Sequence, residues 1–300
     1  MKVKTTSRDP VTTYARKVLS GKIIAGPHVR HACQRHLNDL EQAAQRGFFF
    51  DLDKVKRVIG FYAEILRLNG GEYEGKPYRL LEWQKFIVGS LFGWVNAEGY
   101  RRFRVAYVET GKGSGKSPLA AGVGLYGLVA DNEARAEIYA VATKKDQAMI
   151  LFRDAVAMAD QSSALSTNLR KSGVGQSVWN LAYRRSSSFF RPISSDDGQS
   201  GPRPHVALID EIHEHKTNIA VEMMRAGTKS RRQALIFMIT NSGSDKYGPC
   251  WQYHEYAARV ASGQLIDDAF FSYVCALDDG DDPFQDESVW HKANPSLAYG

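Results

Sequence analysis

The spacing of apolar positions divides the chain into two regimes. Up to about residue 95 they recur at helical intervals. Residues 14–19 form a short amphipathic stretch, and residues 29–44 a long polar one with Leu37 and Leu40 on one side. Over 52–68, Val55, Val58, Ile59, Tyr62, Ile65 and Leu66 mark a helix for which Asp51 supplies a capping carboxylate. The Gly- and Pro-containing run 69–77 breaks the pattern and predicts a boundary. A further helix over 81–95 gathers Trp83, Phe86, Ile87, Leu91 and Trp94 on one side. From there strands and helices alternate. Strands are predicted at 103–108, 137–142, 205–209, 235–240 and 270–276, with a strand pair at 178–183 and 188–193. Helices are predicted at 119–130, 144–159 (capped by Thr143), 219–227 and 251–261. Near-continuous apolar strands separated by helices imply an α/β fold, a mostly parallel sheet covered by helices on both faces, with a helical N-terminal extension. The expected organisation is a helical subdomain over 1–75, a main domain over 76–277, and an acidic loop and linker over 278–300.

Composition narrows the class without deciding function. With 43% hydrophobic and 24% charged residues, the 300-residue chain is neither disordered nor a disulfide scaffold. The apolar stretch at 119–130 falls short of the ~20 residues of a membrane helix, and the basic N-terminus lacks the apolar core of a secretory signal. Cys33, Cys250 and Cys275 are odd in number and far apart, as expected of a protein kept in a reducing cytosol. Net charge falls from +7 over residues 1–80 to +4 over 81–210 and −5 over 211–300. A basic front is compatible with nucleic acid but does not require it.

The sharpest motif is Gly111-Lys112-Gly113-Ser114-Gly115-Lys116-Ser117, which follows a strand and opens a helix. A glycine-rich turn at a helix N-terminus aims several backbone N–H groups at one point, where the helix dipole and Lys116 add positive charge. That suits a nucleoside triphosphate such as ATP, with the Ser117 hydroxyl placed for Mg²⁺. The usual pattern has glycine where this chain has Thr110, so the loop is a variant. Gly122-Val123-Gly124-Leu125-Tyr126-Gly127 matches a dinucleotide fingerprint, but it lies inside the following helix and is read as close helix packing. The strand ending Val206-Ala207-Leu208-Ile209-Asp210-Glu211 delivers two carboxylates to the edge where parallel sheets build sites. Asp210 is assigned to Mg²⁺ and Glu211 to the attacking water. Thr240-Asn241-Ser242 ends another apolar strand, as a γ-phosphate sensor or as a polar turn. Gln84, beside Trp83, offers an amide that suits adenine or serves only its helix. The clusters His28/His31/Cys33/His36 and His213-Glu214-His215 do not converge as metal sites, and the acids of 278–287 read as a solvated loop.

Together these residues resemble the large terminase subunit of tailed bacteriophages, the motor that packages DNA. The likeness includes residues 14–22, Trp83-Gln84 with Leu91-Phe92-Gly93-Trp94, the variant P-loop, Leu208-Ile209-Asp210-Glu211, Thr240-Asn241-Ser242, and Trp290 with Ala293-Asn294-Pro295-Ser296-Leu297. It implies an additional-strand, RecA-like P-loop ATPase. In that family a basic residue often stands where Lys112 is, Thr240 and Asn241 would couple hydrolysis to movement, and an arginine acts on the neighbouring subunit's ATP. Arg184, Arg185, Arg191 and Arg203 are candidates, with Arg203 favoured. The resemblance further implies double-stranded DNA, a portal protein and a small terminase subunit as partners, a homo-oligomeric ring, and action in the host cytoplasm and transiently at the procapsid portal, away from membranes. It also implies a C-terminal nuclease domain that these residues do not include, so no DNA cleavage is expected of them. Arg101, Arg102 and Arg104 are candidate DNA contacts or a solvated sheet edge. A helicase-like ATPase and a non-hydrolysing nucleotide-binding module are the alternatives.

Overall fold

The computed structural model describes residues 9–194 and 201–299. The N-terminal helices are α1 (Pro10–Leu19) and α2 (Pro27–Gln42), followed by the short strand β1 (Phe48–Phe50) and α3 (Leu52–Gly60). As expected, Asp51 caps α3 by accepting from the amides of Asp53 and Lys54. The helical course then loosens into a π turn at Phe61–Ile65, and Leu66 is extended, so the helix ends earlier than its apolar pattern. Next come α4 (Glu82–Gly93) and β2 (Trp94–Asn96), which pairs antiparallel with β1.

The main sheet begins with β3 (Val105–Glu109), α5 (Lys116–Val129), β4 (Glu137–Ala142) and α6 (Lys145–Gln161). Lys144 occupies the cap position of α6, and the Thr143 hydroxyl instead donates to the Gln147 side chain at 2.7 Å. Then follow α7 (Ser163–Asn168), β5 (Leu169–Ser172), β6 (Asn180–Tyr183), β7 (Ser188–Ser194), β8 (Val206–Asp210), α8 (Ile219–Gly227), β9 (Leu235–Thr240), α9 (Pro249–Ala261), β10 (Phe270–Val274) and the short α10 (Trp290–Ala293). The strand order is β10-β3-β9-β8-β4-β7-β6-β5. The β10-to-β7 block is parallel and β5 and β6 are antiparallel additions. As expected of an additional-strand ATPase fold, β9 lies between β3 and β8.

Strand alternation sorts the core onto two faces. Val206 and Leu208 join the N-terminal helices, α5 and α6, whereas Ala207 and Ile209 join α8 and α9. Each fully buried Leu, Ile, Phe or Val contributes roughly 1.5–3 kcal/mol of transfer free energy. The break at 69–77 is a loop in the chain but not in the core. Tyr14, Val29 and Val55 belong to the same buried cluster as Phe237 and Phe271, and the Tyr14 and Tyr273 hydroxyls meet at 2.7 Å. The 1–75 helices therefore pack directly on the sheet.

The fingerprint glycines in α5 allow this close approach. A Cβ on Gly122 would stand 2.4 Å from the Tyr62 ring, and one on Gly124 2.8 Å from Phe190. Arg101 and Arg102 are not available to DNA. Both are buried, Arg101 on Asp131 at 2.5 Å and Arg102 on Asp39 and Asp268 at 2.8 and 2.6 Å, while Arg104 caps the carbonyls of Arg231, Arg232 and Ala234. Among the described residues, no helix is long and apolar enough to cross a membrane.

Candidate active site

The parallel strands bring their C-terminal ends to one edge of the sheet. Register aligns Glu109 with Thr240, and Asp210 with Ile239, so the P-loop, the acid pair and the polar end of β9 become neighbours. Gly113 (φ 80°) and Gly115 (φ 86°) take left-handed conformations that the tight turn requires, and Gly115 sits at the cap position of α5. Lys116 is buried, and its Nζ donates to the carbonyls of Thr110 (3.2 Å) and Gly111 (3.1 Å) and to Asn241 Oδ1 (2.5 Å). Burial lowers the Lys116 pKa, while Glu211 and Asp210 pull it back up. Burial first, then the Glu211 charge, raises Asp210 to about 7, partly offset by the Glu211 amide at 2.9 Å and by Lys116. A buried lysine and a buried, frustrated carboxylate thus share one electrostatic neighbourhood.

Glu211 itself adopts a left-handed backbone (φ 50°), which turns it away from the strand direction of Asp210. Its Oε2 lies 3.1 Å from His213 Nδ1 and 3.5 Å from Asn241 Nδ2. His213 also touches Thr240 Oγ1 at 3.1 Å through both its amide and its ring, and His215 Nε2 meets the Asp210 carbonyl at 3.1 Å. These two histidines, discounted as metal ligands, instead brace the acid pair. Lys112 and Gly113 are exposed at the loop tip, and Ser117 is half-buried in the first turn of α5.

Gln84 is buried beside the loop. Its Oε1 accepts the Leu81 amide at 3.0 Å, and its Nε2 would lie 3.5 Å from a Cβ on Gly115. The neighbouring cavity of about 300 Å³ is lined by Tyr14, Ile23, Glu82, Trp83, Tyr273 and Tyr299, among others, and not by the Gln84 side chain. Arg203 is exposed at the N-terminal end of β8, with its amide on Glu137 and its carbonyl on Arg231, so it is not part of this chain's own site. Arg184 and Arg185 sit in the turn between β6 and β7, also remote from the loop, and Arg191 lies within β7.

Two features went unforeseen. The segment 293–296 lies across the P-loop. The Gly111 amide donates to the Ala293 carbonyl at 3.1 Å, and Ser296 Oγ donates to the Ser114 carbonyl at 3.0 Å while accepting from Trp83 Nε1. The acidic run serves as its anchor, since Lys292 pairs with Asp278 and Asp281, and Arg30 with Asp278; these two carboxylates are therefore not simply solvated. Behind the loop, buried Glu109 accepts from Tyr107 at 2.7 Å and meets His254 Nδ1 at 3.0 Å. Among the described residues, no group of three or more His, Cys, Asp or Glu is arranged to hold a metal ion. The donors offered to a metal by Ser117 and Asp210 are hard oxygens, which fit Mg²⁺.

The family model described as "Terminase large subunit, ATPase domain" matches residues 82–259. The chain belongs to this family. The fold is similar to that of the HK97 bacteriophage large terminase, with a TM-score of 0.68 and 21% identity over 81% of this chain and 48% of that one. "Protein YmfN" of Escherichia coli (strain K12) is 36% identical over 97 residues, 32% of this chain and 21% of its own length. The terminase ATPase chain thus spans about half, or less, of the length of these relatives.

Proposed function

We propose that this terminase ATPase domain hydrolyses ATP with Mg²⁺ and, within the assembled motor, drives double-stranded DNA into a procapsid. The observation that carries the reading is the convergence of Lys116, Asp210, Glu211 and Asn241 at one sheet edge. The loop amides and the α5 N-terminus bind the phosphates, and Lys116 leaves Asn241 to contact their oxygens. Ser117 and Asp210 would hold Mg²⁺, which neutralises phosphate charge. Glu211, steadied by His213, takes a proton from the water attacking the γ-phosphorus, and ADP departs as the leaving group. Asn241 bonds Lys116 through its oxygen and faces Glu211 through its nitrogen, so loss of its lysine contact frees it to reorient. That makes Thr240 and Asn241 the coupling element. Lys112, at the exposed loop tip, supplies charge to the outer phosphate.

The purine would occupy the cavity beside Trp83 and Tyr273, with Gln84 capping its own helix through the Leu81 amide rather than reading the base. The portal protein, the small terminase subunit, ring formation and action at the portal in the host cytoplasm follow from family membership as part of the same proposal. Arg203 remains the proposed trans-acting arginine, since its exposure at the opposite sheet edge leaves it free to reach only a neighbour's site. The test is ATP turnover by Glu211→Gln. Hydrolysis should fall roughly 10²–10⁴-fold with nucleotide binding retained. Wild-type turnover by this variant removes Glu211 from the chemistry.

A further inference from the structure

Between Asp160 and Asp196 the sequence contains no Asp or Glu, yet it carries Arg170, Lys171, Arg184, Arg185 and Arg191. The stretch folds into the antiparallel arm β5-β6-β7 at one end of the sheet. One face of the arm rests on the core through buried Leu181 and Phe190, and Lys171 on that side pairs with Asp160 of α6 at 2.6 Å. On the other face, register sets Arg170 beside Ala182 and Ala182 beside Phe189, with Arg191 two residues further along β7. Helices α8 and α9 cover this face mainly over β8, β9, β3 and β10, and an open hollow of about 430 Å³ remains over the arm. Trp179, Asn180, Tyr183, Arg184, Phe189 and Arg191 are among its lining.

Two details fit this hollow to a polyanion. The Arg191 guanidinium lies over the Phe189 ring at 4.0 Å, with its Nε buried and without a hydrogen-bond partner, so a planar donor is fixed in place before anything binds. The nearby carboxylate of Glu137 is already engaged by the Tyr139 hydroxyl and the Arg203 amide, both on its Oε2. Trp179 is 51% exposed, an indole left on the surface beside the cations.

We propose that this face of the arm docks the sugar-phosphate backbone of duplex DNA, with Arg170, Arg184 and Arg191 on phosphates and Trp179 against deoxyribose. The choice of duplex DNA over another polyanion rests on the function proposed above. The charge pattern and the fixed guanidinium do not. Such contacts are independent of base sequence and strongly dependent on salt, each phosphate neutralised adding about 0.9 to the slope of log affinity against log salt.

The experiment measures fluorescence anisotropy of a short dye-labelled duplex with the 300-residue chain across a salt series. The triple variant Arg170→Gln, Arg184→Gln, Arg191→Gln should bind roughly 10–100-fold more weakly at low salt, with the slope reduced by about 2–3. Removing three cations away from the arm (Lys56→Gln, Lys76→Gln, Lys229→Gln) should change both far less. Equal losses in the two triple variants, no duplex binding by the wild-type chain, or preference for a single strand or an acidic peptide over the duplex would each overturn the proposal. Retained binding of ATP by the arm variant shows that it is folded. If Lys116→Ala abolishes ATP binding while the arm variant grips duplex like wild type, the nucleotide site stands and the docking surface falls.

Discussion

Asp210 gives the most quantitative handle on the site. The residue is 6% exposed and its pKa is raised from 3.8 to about 7, chiefly by burial and then by the Glu211 charge. The folded state therefore holds this proton more tightly than the unfolded chain, and stability is lost as pH rises between the two values. The penalty is fully present above about pH 7 and absent below about pH 4. A tenfold difference in proton affinity corresponds to about 1.4 kcal/mol, so the mismatch between folded and unfolded Asp210 lowers stability by about 4 kcal/mol at pH 8, about 2 at pH 5 and about 0.5 at pH 4, the losses below pH 7 arising because only the unfolded chain is ionised there. Asp210→Asn keeps the shape and removes the charge. Urea unfolding without nucleotide should show the variant more stable than wild type by an amount approaching those values, largest at pH 8 and nearly gone at pH 4. Activity should be lost in the same variant, since a neutral amide would hold Mg²⁺ far more weakly than the carboxylate it replaces. A stability difference that stays flat from pH 4 to pH 8, or wild type being more stable at pH 8, refutes the reasoning.

Two further substitutions test packing around the loop. Gly122→Ala places a methyl 2.4 Å from the Tyr62 ring, which is held by its hydroxyl on the Leu119 carbonyl at 2.7 Å, and should cost about 1–3 kcal/mol in denaturant unfolding. Gly111→Ala puts a methyl 1.9 Å from Asn294 Oδ1 and should lift the 293–296 segment off the loop, seen as faster exchange of the amide at position 111, which donates to the Ala293 carbonyl. Adding Asn294→Ala should restore much of the lost protection, because it removes the obstructing oxygen.

What the sequence made legible is what depends on local pattern. The strand-loop-helix around Lys116, the acid-tipped β8 and the polar end of β9 each announce themselves within about ten residues, and the parallel register then brings them together without further information. Asp51 was readable as a cap for the same reason. Features made by distant segments were not. His213 reads as half of a failed metal motif until folding places it between Glu211 and Thr240. The 293–296 segment meets Gly111 and Ser114 across about 180 residues of chain, and its signal, Ala-Asn-Pro-Ser, carries family likeness but no geometry. Strand β5 has four residues, three of them polar, so it lacks the apolar run that marked its neighbours. The arginines at 101, 102 and 104 look like a surface patch because nothing local shows that Asp39, Asp131 and Asp268 come to meet them.

The most direct test is a calorimetric double-mutant cycle with magnesium-ADP on wild type, Lys116→Ala, Asp210→Asn and the double variant. If lysine and aspartate serve the same bound nucleotide, each single change weakens binding at least tenfold, and the double variant loses clearly less than the two losses combined. Wild-type affinity in either single variant, or strictly additive losses, would mean that the two side chains do not share a ligand.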